Sequence, residues 1–211
     1  MELQGKIINF LGDSITEGCG TTGEDKRFTN IIEKEYALRK ANNYGIGGTR
    51  FAKQTTPSNE PRWDEDFCSR VDAMDDQADI IVVFGGTNDY GHGDAPLGTF
   101  EDNTKDTFYG ACRVLMEKLI NKYPGKPIVF LTPLHREDEE RPDGEKLAQY
   151  VEAIKEMARY YAIPVYDLYA ESGIQPRLPI IKEKFCPDGL HPNDEGHLIL
   201  ADKIAKYLIN M

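Results

Sequence analysis

Residues 6–18 read KIINFLGDSITEG, an apolar run that breaks off at a glycine followed by two residues favoured as helix caps. Lys6–Leu11 reads as a buried strand, being short, rich in isoleucine and without polar alternation. Gly12-Asp13-Ser14 then predicts a strand-to-helix turn. The pattern recurs. Asp79–Phe84, Pro127–Leu131 and Ile163–Tyr166 are further short apolar runs, and Ala41–Tyr44 is a weaker fifth. Between them Phe28–Lys40, Phe108–Tyr123, Glu145–Tyr161 and Asp194–Ile209 carry apolar residues at helical spacing, with Asn193 or Asp194 as a cap for the last.

Strands alternating with helices predict an α/β doubly wound parallel sheet, in which ligands sit at the carboxyl ends of the strands. Gly12-Asp13-Ser14, Gly47-Gly48-Thr49, Gly85-Gly86-Thr87-Asn88-Asp89 and Thr132-Pro133-Leu134-His135 therefore should rim one crevice. The polar segment Thr49–Asp66 and the Gly- and Pro-rich segment Asp89–Glu101 read as loops over it. With no repeat, low-complexity tract or linker, residues 1–211 are expected to form a single domain.

A chain of 211 residues buries roughly 70% of its unfolded surface, so a core can form without disulfides or metal. Cys19, Cys68, Cys112 and Cys186 lie far apart with no C-x-x-C pair, which favours reduced, half-buried thiols over a zinc site. No metal-ligand spacing stands out. The net charge of −11 argues against nucleic acid and anionic membranes as main partners. No apolar run reaches the roughly 20 residues of a membrane span. The start of the chain runs directly into a strand, so a cytoplasmic location is the default, with secretion expected only if a leader has been removed.

Three segments could carry chemistry, each with a plainer alternative. A serine at a strand-to-helix turn, Ser14, lies where backbone N–H groups can meet a developing oxyanion, or it simply caps the helix. In Asp188-Gly189-Leu190-His191-Pro192-Asn193 an aspartate three residues before a histidine can orient an imidazole base, or the segment is only a turn into the last helix. Asn88, after the most apolar strand, has an amide that can donate to an oxyanion, or it belongs to an ordinary turn.

Taken together these segments resemble the SGNH hydrolase family, the GDSL-type esterases and lipases. The family's blocks are matched in order by Gly12-Asp13-Ser14, the glycines of Asn43-Tyr44-Gly45-Ile46-Gly47-Gly48-Thr49, Gly86-Thr87-Asn88-Asp89, and Asp188 to Asn193. The resemblance implies a flavodoxin-like three-layer α/β/α fold with a five-stranded parallel sheet. It makes Ser14 the nucleophile, His191 the general base and acid, and Asp188 the residue that orients His191. It implies an oxyanion hole from the backbone N–H groups of Ser14 and Gly48 and the side chain of Asn88, with Gly47 as the alternative to Gly48. No cofactor is implied.

The expected activity is that of a serine esterase acting on short acyl, above all acetyl, esters of a polar, sugar-like alcohol, since the loops over the crevice are polar. Trp63, Arg50 and Tyr90 could form a substrate wall, with Tyr109 a further flat face, and His135 could line the crevice. A rival reading is a flavodoxin-like binding or electron-transfer module whose Ser14–Gly23 loop cradles a phosphate, leaving Asn88 and Asp188–Asn193 without a task. Gly18-Cys19-Gly20-Thr21-Thr22-Gly23 is a literal G-x-G-x-x-G. However, it starts too far after its strand, and no acidic residue ends the second strand, so dinucleotide binding is not expected.

Overall fold

The structure, a computed structural model, describes residues 1–211. Its centre is a five-stranded, all-parallel sheet of β1 (Ile7–Gly12), β2 (Lys40–Gly45), β3 (Ile80–Phe84), β4 (Ile128–Leu131) and β5 (Val165–Tyr166), in the order β2-β1-β3-β4-β5. This is the flavodoxin-like order, and its switch point lies where β1 neighbours both β2 and β3.

The apolar strands feed two separate cores because successive side chains point to opposite faces. From β1, β3 and β4, Leu11, Ile81, Val83 and Phe130 enter one core, while Ile8, Phe10, Val82 and Val129 enter the other. The helices in chain order are α1 (Ser14–Glu17), α2 (Phe28–Glu35), α3 (Phe67–Arg70), α4 (Thr87–His92), α5 (Phe108–Lys122), α6 (Leu147–Tyr160), α7 (Leu168–Glu171), α8 (Pro179–Phe185) and α9 (Asp194–Ile209). The first core is closed by α5 and α6, the second by α2 and α9, which gives three layers. Phe28 is wholly buried at the second, edge-on to Phe10 at 5.6 Å. Truncating it to alanine would cost about 3–5 kcal/mol.

Two local expectations change. The helix expected over Phe28–Lys40 ends at Glu35, because Ala37 takes a left-handed φ of 50° that turns the chain so that Lys40 can pair with Ile7. The segment Asp89–Glu101 is not all loop, since α4 continues through His92. The last helix spans Asp194–Ile209 as expected, and the Asn193 side chain accepts the Gly196 N–H at 3.1 Å. No helix is long and apolar enough to cross a membrane.

Candidate active site

At the carboxyl end of β1 the chain must turn into α1 within one residue. Asp13 caps that helix, its Oδ1 accepting the Ile15 N–H at 3.0 Å. Burial pushes the Asp13 carboxyl up to about 6, against the pull of the Ile15 N–H, His191 and Arg70. Gly12 is needed for space, because a Cβ there would lie 1.9 Å from Thr16 Oγ1. The turn leaves Ser14 as the first residue of α1, so its N–H has no intrahelical acceptor.

The chain returns to this point 177 residues later. His191 Nε2 lies 3.0 Å from Ser14 Oγ, and His191 Nδ1 lies 2.6 Å from Asp188 Oδ2. The Asp188 loop is stiffened locally, since Asp188 Oδ1 accepts the N–H groups of Leu190 at 2.8 Å and His191 at 2.6 Å. Partial burial pushes the Asp188 carboxyl up, but these N–H groups and the imidazole outweigh it and hold it below its usual range. A carboxylate on Nδ1 fixes the tautomer in which Nε2 faces the hydroxyl as an acceptor.

After β2, the Ile46–Thr49 turn brings Gly47 and Gly48 beside Ser14. The Gly47 N–H donates to Glu17 Oε2 at 2.6 Å. The Gly48 N–H has no acceptor within the protein and opens on the same pocket as Ser14. Gly48 holds a left-handed φ of 78°, and a Cβ there would lie 2.3 Å from Trp63 Cδ1. Asn88, near the start of α4, is buried and spends one amide proton on Thr49 O at 3.0 Å, leaving the other for the pocket. Behind this group Arg70 donates to Tyr44 O at 2.6 Å, Gly12 O at 3.1 Å and Thr49 Oγ1 at 3.0 Å. Burial lowers its pKa to about 10, which still leaves it charged.

The pocket over Ser14 has a volume of about 340 Å³. Its walls include Glu17, Cys19, Arg62, Trp63, His92 and Leu190 besides the residues above. A larger hollow of about 460 Å³ lies at the opposite, amino end of β4, lined by Ile120, Tyr123 and Met211 among others, and holds no serine or histidine. Of the expected wall residues only Trp63 faces the Ser14 pocket. Arg50 is buried behind it, Tyr90 packs on Tyr150 in the core, and Tyr109 donates to Glu156 at 2.8 Å away from the pocket. His135 is not in the lining either, since it pairs with Glu139 at 2.6 Å and packs against the Tyr169 ring. The residues a reading of the sequence misses are Glu17, Arg70 and His92. A usable signal exists for His92, four residues after Asn88 and so on the same face of α4.

The loop that the rival reading assigns to a phosphate already carries a carboxylate: Asp194 accepts the Thr22 N–H at 2.8 Å and the Thr22 hydroxyl at 2.6 Å. The G-x-G-x-x-G stretch follows α1, not a strand, so it does not form a dinucleotide turn.

Residues 10–199 match the family model of the GDSL-like lipase/acylhydrolase family. The chain belongs to this family. A protein of solved structure from Lactobacillus plantarum is 30% identical, with 98% of each chain covered and a TM-score of 0.86. A lipase/acylhydrolase from Enterococcus faecalis is 21% identical over 96% of this chain and 95% of its own, with a TM-score of 0.68. A member of the lipolytic G-D-S-L family from Veillonella parvula is 18% identical over 97% and 99%, with a TM-score of 0.69. No curated protein matches the chain. As a GDSL-like acylhydrolase of SGNH architecture, the protein is a hydrolase of the esterase and lipase type.

Proposed function

We propose that this hydrolase is a serine esterase for short acyl, chiefly acetyl, esters of polar, sugar-like alcohols. The observation that carries the reading is the relay in which Ser14 Oγ lies 3.0 Å from His191 Nε2 and His191 Nδ1 lies 2.6 Å from Asp188. Ser14 Oγ attacks the ester carbonyl carbon while His191 takes its proton. The negative charge that develops on the carbonyl oxygen meets the N–H groups of Ser14 and Gly48 and the free amide proton of Asn88. His191 then protonates the departing alkoxide, and the alcohol leaves. Water, deprotonated by His191, cleaves the acyl-enzyme and regenerates the serine. Asp188 stabilises the imidazolium in both halves without itself taking the proton.

Pocket chemistry supports the substrate class. The Ser14 pocket is small, and its wall carries the ion pair of Arg62 with Glu17 at 2.6 Å beside a single indole. The most exposed large apolar side chains, Ile180, Tyr160, Leu178 and Leu198, stand outside its lining, so no broad apolar rim surrounds Ser14 for docking on a lipid interface. The test is a hydrolysis screen of acetylated sugars beside a nitrophenyl ester series from acetyl to dodecanoyl. The reading predicts turnover of acetylated sugars and a preference for acetate. A kcat/KM that climbs steadily to dodecanoyl contradicts it.

A further inference from the structure

The two aromatic rings on the Gly48 and Asn88 side of the pocket are locked together from behind. Trp63 lies against the Gly48 backbone, and its ring centroid is 5.2 Å from that of His92. Both rings stand where they do because of Arg50, whose side chain is only 3% exposed. Its guanidinium donates to Trp63 O at 3.2 Å, to Asp64 Oδ1 at 2.8 Å and to Ser58 Oγ at 2.7 Å, which pins the 58–64 segment. It also reaches His92 Nδ1 at 3.3 Å and His92 O at 3.4 Å, which ties the end of α4 to that segment. A buried guanidinium with this many acceptors on two separate segments holds a fixed distance between them, and arginine's planar fork suits that task.

Resting on the esterase reading above, we infer that Trp63 and His92 form an acyl-length gate, a stop against which the acyl chain of the bound ester abuts, held in place by Arg50. Three groups on the carbonyl carbon have to find places in the pocket. The leaving oxygen has to sit at His191 Nε2 to receive its proton, and the carbonyl oxygen has to sit among the donors. The acyl chain is the remaining substituent, so it leaves the carbonyl carbon on the side away from His191 and meets the pocket wall beyond the donors, which Trp63 and His92 line. Trp63 is packed on Gly48, and His92 lies one helical turn beyond Asn88, so the chain meets these rings. Arg50, as a donor, leaves His92 Nδ1 as the acceptor. The wall is made of two adjoining rings and excludes longer chains by shape. Arg50 touches no substrate and acts as a positioning residue.

The test is kcat/KM for nitrophenyl butyrate relative to nitrophenyl acetate, in the wild type and in Trp63→Ala, His92→Ala and Arg50→Lys. Each added methylene that gains a buried place is worth about fourfold, so opening room for two raises the butyrate-to-acetate ratio by roughly fifteenfold. The gate predicts that rise in Trp63→Ala and His92→Ala and a smaller rise in Arg50→Lys. If the Trp63 variant does not fold, the truncation of His92 at the exposed end of α4 decides the matter alone. Equal loss on both esters, with the ratio unmoved, makes the wall merely structural and overturns the gate while leaving the esterase intact. A wild type that hydrolyses no ester overturns both.

Discussion

Glu17 takes the Gly47 N–H at 2.6 Å, and in doing so separates the two glycines of the Ile46–Thr49 turn. A peptide N–H bound to a carboxylate cannot also serve a developing oxyanion, and the adjacent Gly48 N–H is left without an acceptor inside the protein. Glu17 belongs to the same short helix as Ser14, so the contact also fixes the distance between the hydroxyl and the glycine turn.

This arrangement predicts that Glu17→Gln, which keeps an oxygen acceptor, stays within about threefold of wild-type kcat, whereas Glu17→Ala loses about tenfold. Gly48→Ala should be worse, because an L-residue at φ 78° costs about 1–2 kcal/mol and its methyl collides with Trp63. Steady-state kinetics on a nitrophenyl ester, with thermal melts alongside, check both. A Glu17→Ala enzyme with unchanged kcat would free Gly47 of any constraint and refute the division of labour.

Asn88→Ala should lower kcat by about 10²–10³, the usual cost of one oxyanion donor, with a smaller change in KM. Because the Asn88 amide also anchors Thr49 O at 3.0 Å, some loss of melting temperature is expected too. A rate equal to wild type would mean that the second amide proton meets no substrate.

Among the histidines, His191→Ala should remove turnover by several orders of magnitude. His135→Ala should stay within roughly tenfold, since His135 is engaged with Glu139 and Tyr169 outside the pocket. An active His191→Ala enzyme would overturn the assignment of the base.

Much of this was legible in the sequence because it is written locally. The turn Gly12-Asp13-Ser14 and the Asp188–His191 spacing each fit within one loop, and strand apolarity fixed the sheet that brings them together. Arg70 and Glu17 were not legible for the converse reason. Arg70 acts on Gly12, 58 residues away, and Glu17 on Gly47, 30 residues away, and no periodicity links such pairs. The spacing of His92 from Asn88 becomes a signal only when the Gly-containing start of Asp89–Glu101 is helical. Only with α4 extended to residue 92 does His92 share a face with Asn88. The helix from Phe28 stops at Glu35 and not at Lys40 because Ala37, which carries no sequence signal for a left-handed φ, is turned by the pairing of β2 with β1.

Acid should destabilise the fold through His197, a residue with no place in the chemistry. It is fully buried, accepts the Phe28 N–H on Nδ1 at 3.1 Å and stacks on Phe28. Burial lowers its pKa from 6.5 to about 4. The unfolded chain therefore binds a proton that the folded chain refuses, so the stabilisation present above pH 6.5 is lost as the pH falls toward 4. The loss is on the order of 2–3 kcal/mol. In His197→Asn, which retains an acceptor for Phe28, the melting temperature should fall less steeply between those pH values than in wild type. Parallel curves would rule out this histidine as the source.

Everything proposed for the chemistry depends on Ser14, activated by His191 and Asp188, being the nucleophile. Incubation with an alkyl phosphonate ester probe, followed by peptide mass mapping, tests it most directly. The account predicts a stoichiometric adduct on Ser14 with complete loss of esterase activity, no adduct on Ser14→Ala, and strongly slowed labelling in His191→Ala. An adduct mapped to any other residue, or full activity in Ser14→Ala, would contradict it.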